Sequence, residues 1–412
     1  MRVVVVGSGG REAALAEVLG RTASSVVVTP GNPGIPGSDA TKPEDLDADL
    51  YVIGPEAPLV DGLADRLRAD GRLVFGPGAD GARLEGSKAW MKELVTAAGV
   101  PTARHGSFDE VGPALDFLHD LPGPYVVKTD GLAAGKGVLV TRDVAEAERD
   151  IREKLSGDSF GAAGSRVVIE EAMSGPEVSV FAVCDGRRSV ALAPAQDFKR
   201  VGDDDVGPNT GGMGAYCPLP WLPAGFADDI VERFIDPTLA ELRRRGIDYR
   251  GALYAGLMLT PEGPKLVEYN VRFGDPDGQV VLMRLTSDLT ELLASAAAGE
   301  LAGQPTHDDD AMVLVVAAAE GYPSSPRTGD VIEGLEAARQ VPGATVLCAG
   351  VGAGDEGRLV TAGGRVIDVV GRGPDIATAR AVAYEALSHV RWPGLHHRTD
   401  IARDASTLRP DG

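Results

Sequence analysis

The stretch Gly251–Gly278 constrains this fold most: GALYAGLMLT and KLVEYN flank the turn PEGP, and VRFGDPDG follows. Two strand-like runs around a Pro- and Gly-containing turn predict a hairpin. On its second strand Glu268 and Asn270 stand two apart, and side chains two apart share one face. Arg272 follows at the same period if the strand persists that far. A carboxylate and an amide oxygen suit a hard cation such as Mg²⁺, and a guanidinium offers a fork to an oxyanion. On the triplet alone, a surface strand with its polar residues outward is the simpler reading. The remaining motifs reverse that.

At the N-terminus, Arg2–Val6 reads as a buried strand, Gly7-Ser8-Gly9-Gly10-Arg11-Glu12 as a loop, and Ala13–Leu19 as a helix. Strand, glycine loop and helix start favour an anion, because backbone N–H groups can approach it there. A dinucleotide fingerprint needs Gly where Glu12 stands, and strand Ser25–Val28 ends in Thr29-Pro30 without a ribose-binding acid. Arg11 in the loop suits a phosphate monoester, with a plain βα turn as the competing reading. Gly31-Asn32-Pro33-Gly34 is the next such loop. Leu50–Ile53 and Leu73–Phe75 predict two more strands. Glu56 leaves the carboxyl end of the third strand, where open α/β sheets bind ligands. It either accepts from sugar hydroxyls or caps the helix Leu63–Arg68.

Lys88 opens a helix to Ala97, an unusual place for a cation and a hint that it faces an anion. Tyr125–Thr129 and Gly137–Thr141 read as strands around DGLAAGK, residues 130–136. The Walker spacing fails there, and a strand follows instead of a helix. The prediction is a glycine hairpin that closes over phosphates, with Lys128 and Lys136 supplying charge. Helix Val144–Leu155 and strands Arg166–Glu170, Glu177–Cys184 and Ser189–Ala193 complete a β-β-α-β-β unit of lid size. Gln196-Asp197-Phe198-Lys199-Arg200 comes next. Gly207–Tyr216, with four glycines after Pro208 or before it and an Asn-Thr pair, reads as a close-contact loop or a mobile linker. Helix Asp228–Arg245 should kink or break at Pro237.

Helix Asp288–Ala298 follows the opening hairpin, and the acidic run His307–Asp310 reads as a solvated linker. Strands are expected at Ala311–Ala319, Thr345–Cys348, Leu359–Thr361 and Arg365–Val370, then a helix Ile376–Val390. His396-His397 reads as a tail packed on the body, since adjacent histidines rarely chelate one ion.

A chain of 412 residues exceeds one core, so two to four domains are expected. No long apolar run predicts a membrane span, and MRVVVVGSGG reads as a strand entering a turn, not a signal peptide. Cys184, Cys217 and Cys348 are isolated, which fits reduced core thiols in the cytoplasm. A formal charge of −21 argues against a nucleic-acid partner. A nicotinamide oxidoreductase is disfavoured by Glu12.

Assembled in order, GSGGRE, GPEAPLV, LEGSKA, VVKTDGLAAGKGV, VIEE, AQDFKR, GPNTGGMGAY, LYAGLM, VEYNVRFGDP, AAEGYP, GGRV and HRTDIA resemble the phosphoribosylamine–glycine ligase (glycinamide ribonucleotide synthetase) family of ATP-grasp enzymes. The resemblance covers nearly the whole chain, and GPNTGGMGAY is its most specific stretch. It implies an α/β multidomain fold. An N-terminal open-sheet domain over 1–86 would bind phosphoribosylamine. An ATP-grasp core over 87–304 would carry a lid at about 122–194, and a small α/β domain would span 305–412.

It implies ATP with Mg²⁺ or Mn²⁺ as cofactors, Lys88 and Lys128 on the ATP phosphates, and a flap including Gly131, Gly135, Lys136 and Gly137 over them. Adenine would lie against Glu170, Glu171 and Met173, with Glu177 on the ribose. Glu268 and Asn270 would hold the metal. Arg272, Lys136 and Asp197 would be catalytic. Gly9, Gly10, Arg11, Glu12, Asn32, Glu56, Asn209, Thr210 and Gly211 would meet the substrates.

The implied reaction ligates glycine to 5-phosphoribosylamine through glycyl phosphate, in a cytoplasmic monomer that binds small molecules and neither nucleic acid nor membrane. The alternatives are ligation of another amino acid to a phosphosugar amine, or a silent nucleotide-binding protein. The chain departs from the family pattern at Ala13 (His expected), at Asp277-Gly278 (Glu-Thr expected) and at Cys348-Ala349-Gly350-Val351 (His-Ala-Gly-Thr expected).

Overall fold

The computed structural model describes residues 1–132, 137–156 and 166–405. At its centre is the predicted hairpin. Strands Arg250–Thr260 and Gly263–Asn270 pair antiparallel with Thr260 opposite Gly263, so Pro261 and Glu262 alone turn the chain. Glu268 lies opposite Gly256, and the register shifts between Gly256 and Leu257. The irregularity re-aims the end of the strand, and the missing side chain at Gly256 leaves the ground opposite Glu268 open. Strand Glu177–Asp185 pairs along the other edge of Arg250–Thr260, with Ser189–Ala191 outside it. Helix Leu289–Ala298 packs on this sheet, and Asp288 caps it by accepting from the Glu291 N–H at 3.0 Å.

The N-terminal sheet is parallel, in the order Ser25–Pro30, Arg2–Gly7, Leu50–Ile53, Val74–Phe75. Its valine-rich strands are buried, as a sheet covered by helices requires. Strand order reverses between Arg2–Gly7 and Leu50–Ile53. The loops leaving those two strands, through Gly9 and through Glu56, therefore flank a ready-made crevice. Helix Gly10–Leu19 starts three residues earlier than expected, directly at the glycines.

The expected β-β-α-β-β lid unit does not close on itself. Its sheet runs His105–Phe108, Val167–Glu171, Tyr125–Thr129, Val138–Thr141, with helices Val111–His119 and Val144–Leu155 and a small core of its own. Strands Glu177–Asp185 and Ser189–Ala191 instead belong to the central sheet. Apolar alternation marks a strand without naming its partner, and the long strand Arg250–Thr260 offers more pairing than the lid edge does.

A fourth sheet is antiparallel, in the order Gln196–Asp197, Gly214–Cys217, Ala311–Ala318, Arg365–Gly373, Ala344–Cys348, with helix Ile376–Leu387 on it. The glycine-rich segment expected as a loop or linker thus ends as a strand inside this sheet. The helix does not stop at Pro237, although its hydrogen-bond pattern changes directly before the proline. Segments Phe226–Ile230, Val231–Ile235 and Asp236–Arg244 run on, the middle one a wide π turn that absorbs the missing N–H. The acidic run is not a free linker either: Arg372 binds Asp308 and Asp310, and Arg284 donates to the Asp308 and Asp310 carbonyls. His396 pairs with Ala318, as a packed tail should. Among the described residues no helix is long and apolar enough to cross a membrane, and the three cysteines are free and buried.

Candidate active site

The hairpin strand carries its polar residues into a cleft. Neither the Glu268 carboxylate nor the Asn270 side chain makes a hydrogen bond among the described residues, and both are half-buried. A carboxylate and an amide oxygen left unspent on one strand face fit a hard divalent cation completed by water and phosphate. Arg272 is 18% exposed and sits between two acids, Glu85 at 2.9 Å and Glu56 at 3.4 Å. Burial opposes ionisation of Glu56, yet Arg272 and Arg11 hold its carboxyl below the usual range. Glu85 was not foreseen. It accepts from the Val271 N–H at 2.8 Å, and burial pushes its carboxyl up against the pull of Arg272.

Beneath the neighbouring strand lies a buried charge triad. Glu170 pairs with Lys128 at 2.9 Å and with Lys92 at 3.1 Å, and Lys92 also donates to Thr102 at 2.7 Å. Burial, opposed by Glu170, moves Lys92 down to about 8. Glu170 was expected against adenine, but its side chain is 2% exposed and committed to the two lysines. Lys92 was missed, although it stands four residues after Lys88 and so shares its helix face. Lys88 itself donates to the Gly131 carbonyl at 2.9 Å, and Ser87 caps the helix by accepting from Trp90. The Glu171 carboxylate accepts from the Arg104 N–H at 3.0 Å, and Met173 is half-buried on the stretch that follows. Gly131 and Gly137 bound the expected flap, whereas Gly135 and Lys136 lie outside the described residues.

A small cleft joins Glu177, Asp197, Tyr254 and Glu268 with Lys199, which sequence reasoning did not single out. The Lys199 ammonium contacts both Asp197 oxygens, at 2.9 and 2.8 Å, and Glu177 at 3.4 Å. Behind it, burial first and then Asp197 push Asp277 up to about 6.

At the N-terminal loop, Glu12 folds back so that one oxygen accepts from the Gly9 N–H and the other from Arg11, both at 2.7 Å. A methyl at Gly54 would overlap this carboxylate, so Glu12 braces the ends of two strands and is enclosed. Arg11 donates to the Phe273 carbonyl at 3.1 Å, which ties the loop to the hairpin's exit. The Asn32 amide is spent internally, on the carbonyls of Ser8, Cys348 and Ala349 at 2.9 to 3.0 Å. Its side chain is therefore buried and joins two sheets.

Thr210 accepts from Gly212 and donates to Lys199, while Asn209 pairs with Arg200 on the adjacent strand. Gly211 meets Arg365 through its carbonyl at 2.8 Å and Tyr322 through its N–H at 3.0 Å. Ala13 and Cys348, two of the departures from the family pattern, are both buried, Cys348 against the loop that carries Asn32 and Gly34.

A lid sheet and a central hairpin, with buried lysines and unspent side-chain oxygens between them, have the arrangement of an ATP-grasp ligase. The fold agrees: the chain superposes on the biotin carboxylase domain of Hydrogenobacter thermophilus 2-oxoglutarate carboxylase with a TM-score of 0.72 at 17% identity, covering 96% of this chain and 91% of that one. Family models of the phosphoribosylglycinamide synthetase N domain, ATP-grasp domain and C domain match residues 1–85, 86–278 and 312–404, and the chain belongs to that family. It is 49% identical to the phosphoribosylamine–glycine ligase of Mycobacterium tuberculosis over 430 aligned positions, covering 98% of this chain and 99% of the relative. The crystal structure of the Thermotoga maritima phosphoribosylamine–glycine ligase matches with a TM-score of 0.88 at 35% identity, covering 98% of this chain and 100% of that one. The protein is an ATP-dependent ligase.

Proposed function

We propose that this chain joins glycine to 5-phosphoribosylamine at the cleft between the central hairpin and the N-terminal glycine loop. The observation that carries the reading is the pair Glu268 and Asn270, unspent on one strand face beside Arg272 and the Lys128–Glu170 pair. These two residues would hold Mg²⁺ or Mn²⁺, which supplies charge neutralisation on the nucleotide phosphates. Lys88 and Lys128 reach toward those phosphates, and the main chain around Glu171–Met173 suits the adenine edge. Glu177 suits the ribose.

The small amino acid fits beside Asp197 and Lys199. Its carboxylate attacks the γ-phosphorus, the bond to ADP breaks, and glycyl phosphate forms. The amine nitrogen then attacks the acyl carbon, inorganic phosphate leaves, and one proton is lost from nitrogen. Positioning and charge neutralisation suffice for such transfers, so no side-chain nucleophile is required. Arg272 neutralises the developing charge. The amine substrate lies with its phosphate at Gly9–Arg11 and its sugar toward Glu56. Buried free thiols support a reducing, cytoplasmic setting.

Paired substitutions test the assignment. Glu268→Ala should abolish turnover, with the fold retained by circular dichroism. Arg11→Ala should raise the KM for the amine substrate strongly and leave that for ATP nearly unchanged. Full activity of Glu268→Ala at saturating Mg²⁺ would sink the metal assignment. Equal loss of ATP affinity in Arg11→Ala would sink the placement of the amine substrate.

A further inference from the structure

One acid has no role in this scheme. Asp368, on strand Arg365–Gly373, is 1% exposed, and its Oδ1 has no hydrogen-bond partner. Its Oδ2 reaches the glycine loop so closely that a methyl at Gly10 would overlap it. Gly10 is the first residue of the ten-residue helix Gly10–Leu19, so this carboxyl is aimed at the start of that helix. Gln279 bridges it to a second acid: its Nε2 lies 3.3 Å from Asp368 Oδ2 and 3.0 Å from Asp275 Oδ1. Asp275 takes the charge-stabilising partner, with Arg365 at 3.2 Å.

The groups that face Asp368 are thus Asp275 and Gln279 from the segment after the hairpin, Cys348 from the adjacent strand, and Arg365 on its own strand; Arg11 is next along the loop. Two acids share one bridging amide, and only Asp275 has the arginine at contact distance. A buried, partner-poor carboxyl in that position favours its neutral form.

We propose that Asp368 is a charge gate on the phosphate end of the amine-substrate site: neutral, it leaves the helix start at Gly10 open to an anion, and ionised, it repels the phosphate of the incoming phosphosugar amine. The inference rests on the placement of that phosphate at Gly9–Arg11. Burial first, then Asp275, lifts the Asp368 carboxyl to about 7, so the gate would act around neutrality. It would make use of the phosphosugar fall with rising pH while ATP use did not. Asp368 is a positioning residue in this account, since it acts on the substrate through the field at the loop and forms no bond to it.

The test compares the full-length protein with Asp368→Asn, an uncharged isostere, on both sides of about pH 7. The amine substrate is generated in the assay from ribose 5-phosphate and ammonia, and its changing supply cancels in the wild-type-to-variant ratio at each pH. The expected result is a ratio of KM values for the phosphosugar amine that climbs about tenfold from the acid to the alkaline side, with the ratio for ATP flat. Asp368→Ser serves as the neutral replacement where Asp368→Asn does not fold. A pH-independent ratio for the amine substrate overturns the gate, and so does a parallel climb for ATP. Arg11→Ala separates the two readings: if it leaves the amine KM unchanged, the phosphate placement fails. If it raises that KM while the Asp368→Asn ratio stays flat, the gate alone fails.

Discussion

Glu170 holds two buried ammonium groups at once, so its charge matters more than its contact area. Removing one partner of a buried ionic group leaves the rest desolvated and unpaired, which typically costs about 3–5 kcal/mol. Glu170→Gln should therefore lower stability by about that amount in urea denaturation. Lys92→Met, which keeps the Lys128–Glu170 pair, should lower it less. A loss under about 1 kcal/mol in Glu170→Gln would mean that solvent already screens the triad. The residue types of this site were legible, because Glu268 and Asn270 follow strand periodicity, Arg272 stands two residues further on, and Lys128 lies on the strand that enters the glycine hairpin. Glu85 and Lys199 were not, since each became a site residue only by meeting a charge from another segment, Arg272 in one case and Glu177 in the other.

Among the elements, the bend at Gly175 decides where the lid ends. It carries the chain from strand Val167–Glu171 in the lid sheet to strand Glu177–Asp185 in the central sheet. Its φ is +149°, and a Cβ there would overlap the Leu259 carbonyl on the hairpin strand. Gly175→Ala should cost about 1–3 kcal/mol, because an L side chain is strained in this conformation and meets fixed backbone. The measurement is a thermal melt with and without ATP, and an unchanged melting temperature would show that the bend relaxes freely. Both strands were readable from their apolar patterns. Their assignment to different sheets was not, since hydrophobic alternation marks a strand and says nothing of its neighbour.

At the scale of the whole molecule, three segments meet at Arg365 and Asp368. Arg365 donates to the carbonyls of Gly211 and Asp275, both at 2.8 Å, and so ties its own strand to the glycine-rich segment and to the hairpin's exit. Asp368 closes the same seam against the N-terminal loop. The Asp368 carboxyl titrates higher in the folded chain than its ordinary value of 3.8. The folded state therefore binds the extra proton between that value and about 7, and the stability this group contributes is lost as pH rises through that window. Asp275 is held below its ordinary value and acts in the opposite sense. Asp368→Asn should thus gain melting temperature relative to wild type on going from about pH 5, inside the window from about 4 to about 7, to about pH 8, above it. A constant difference across that range would show that Asp368 ionises alike in the folded and unfolded chains.

The sequence by itself determined what could be decided within a dozen residues: the central hairpin, the valine-rich parallel strands, the glycine loop that opens a helix, and the two side-chain oxygens that share a strand face. Short-range periodicity and backbone freedom at glycine govern those features, and both are written locally. Only the tertiary structure decided that Glu170 is an internal counter-ion, that Asn32 fastens two sheets, that Glu177–Asp185 leaves the lid, and that Asp368 ends at Gly10. Each depends on which distant segments are packed together, and on which polar groups must then satisfy one another away from water, a condition that no local pattern encodes.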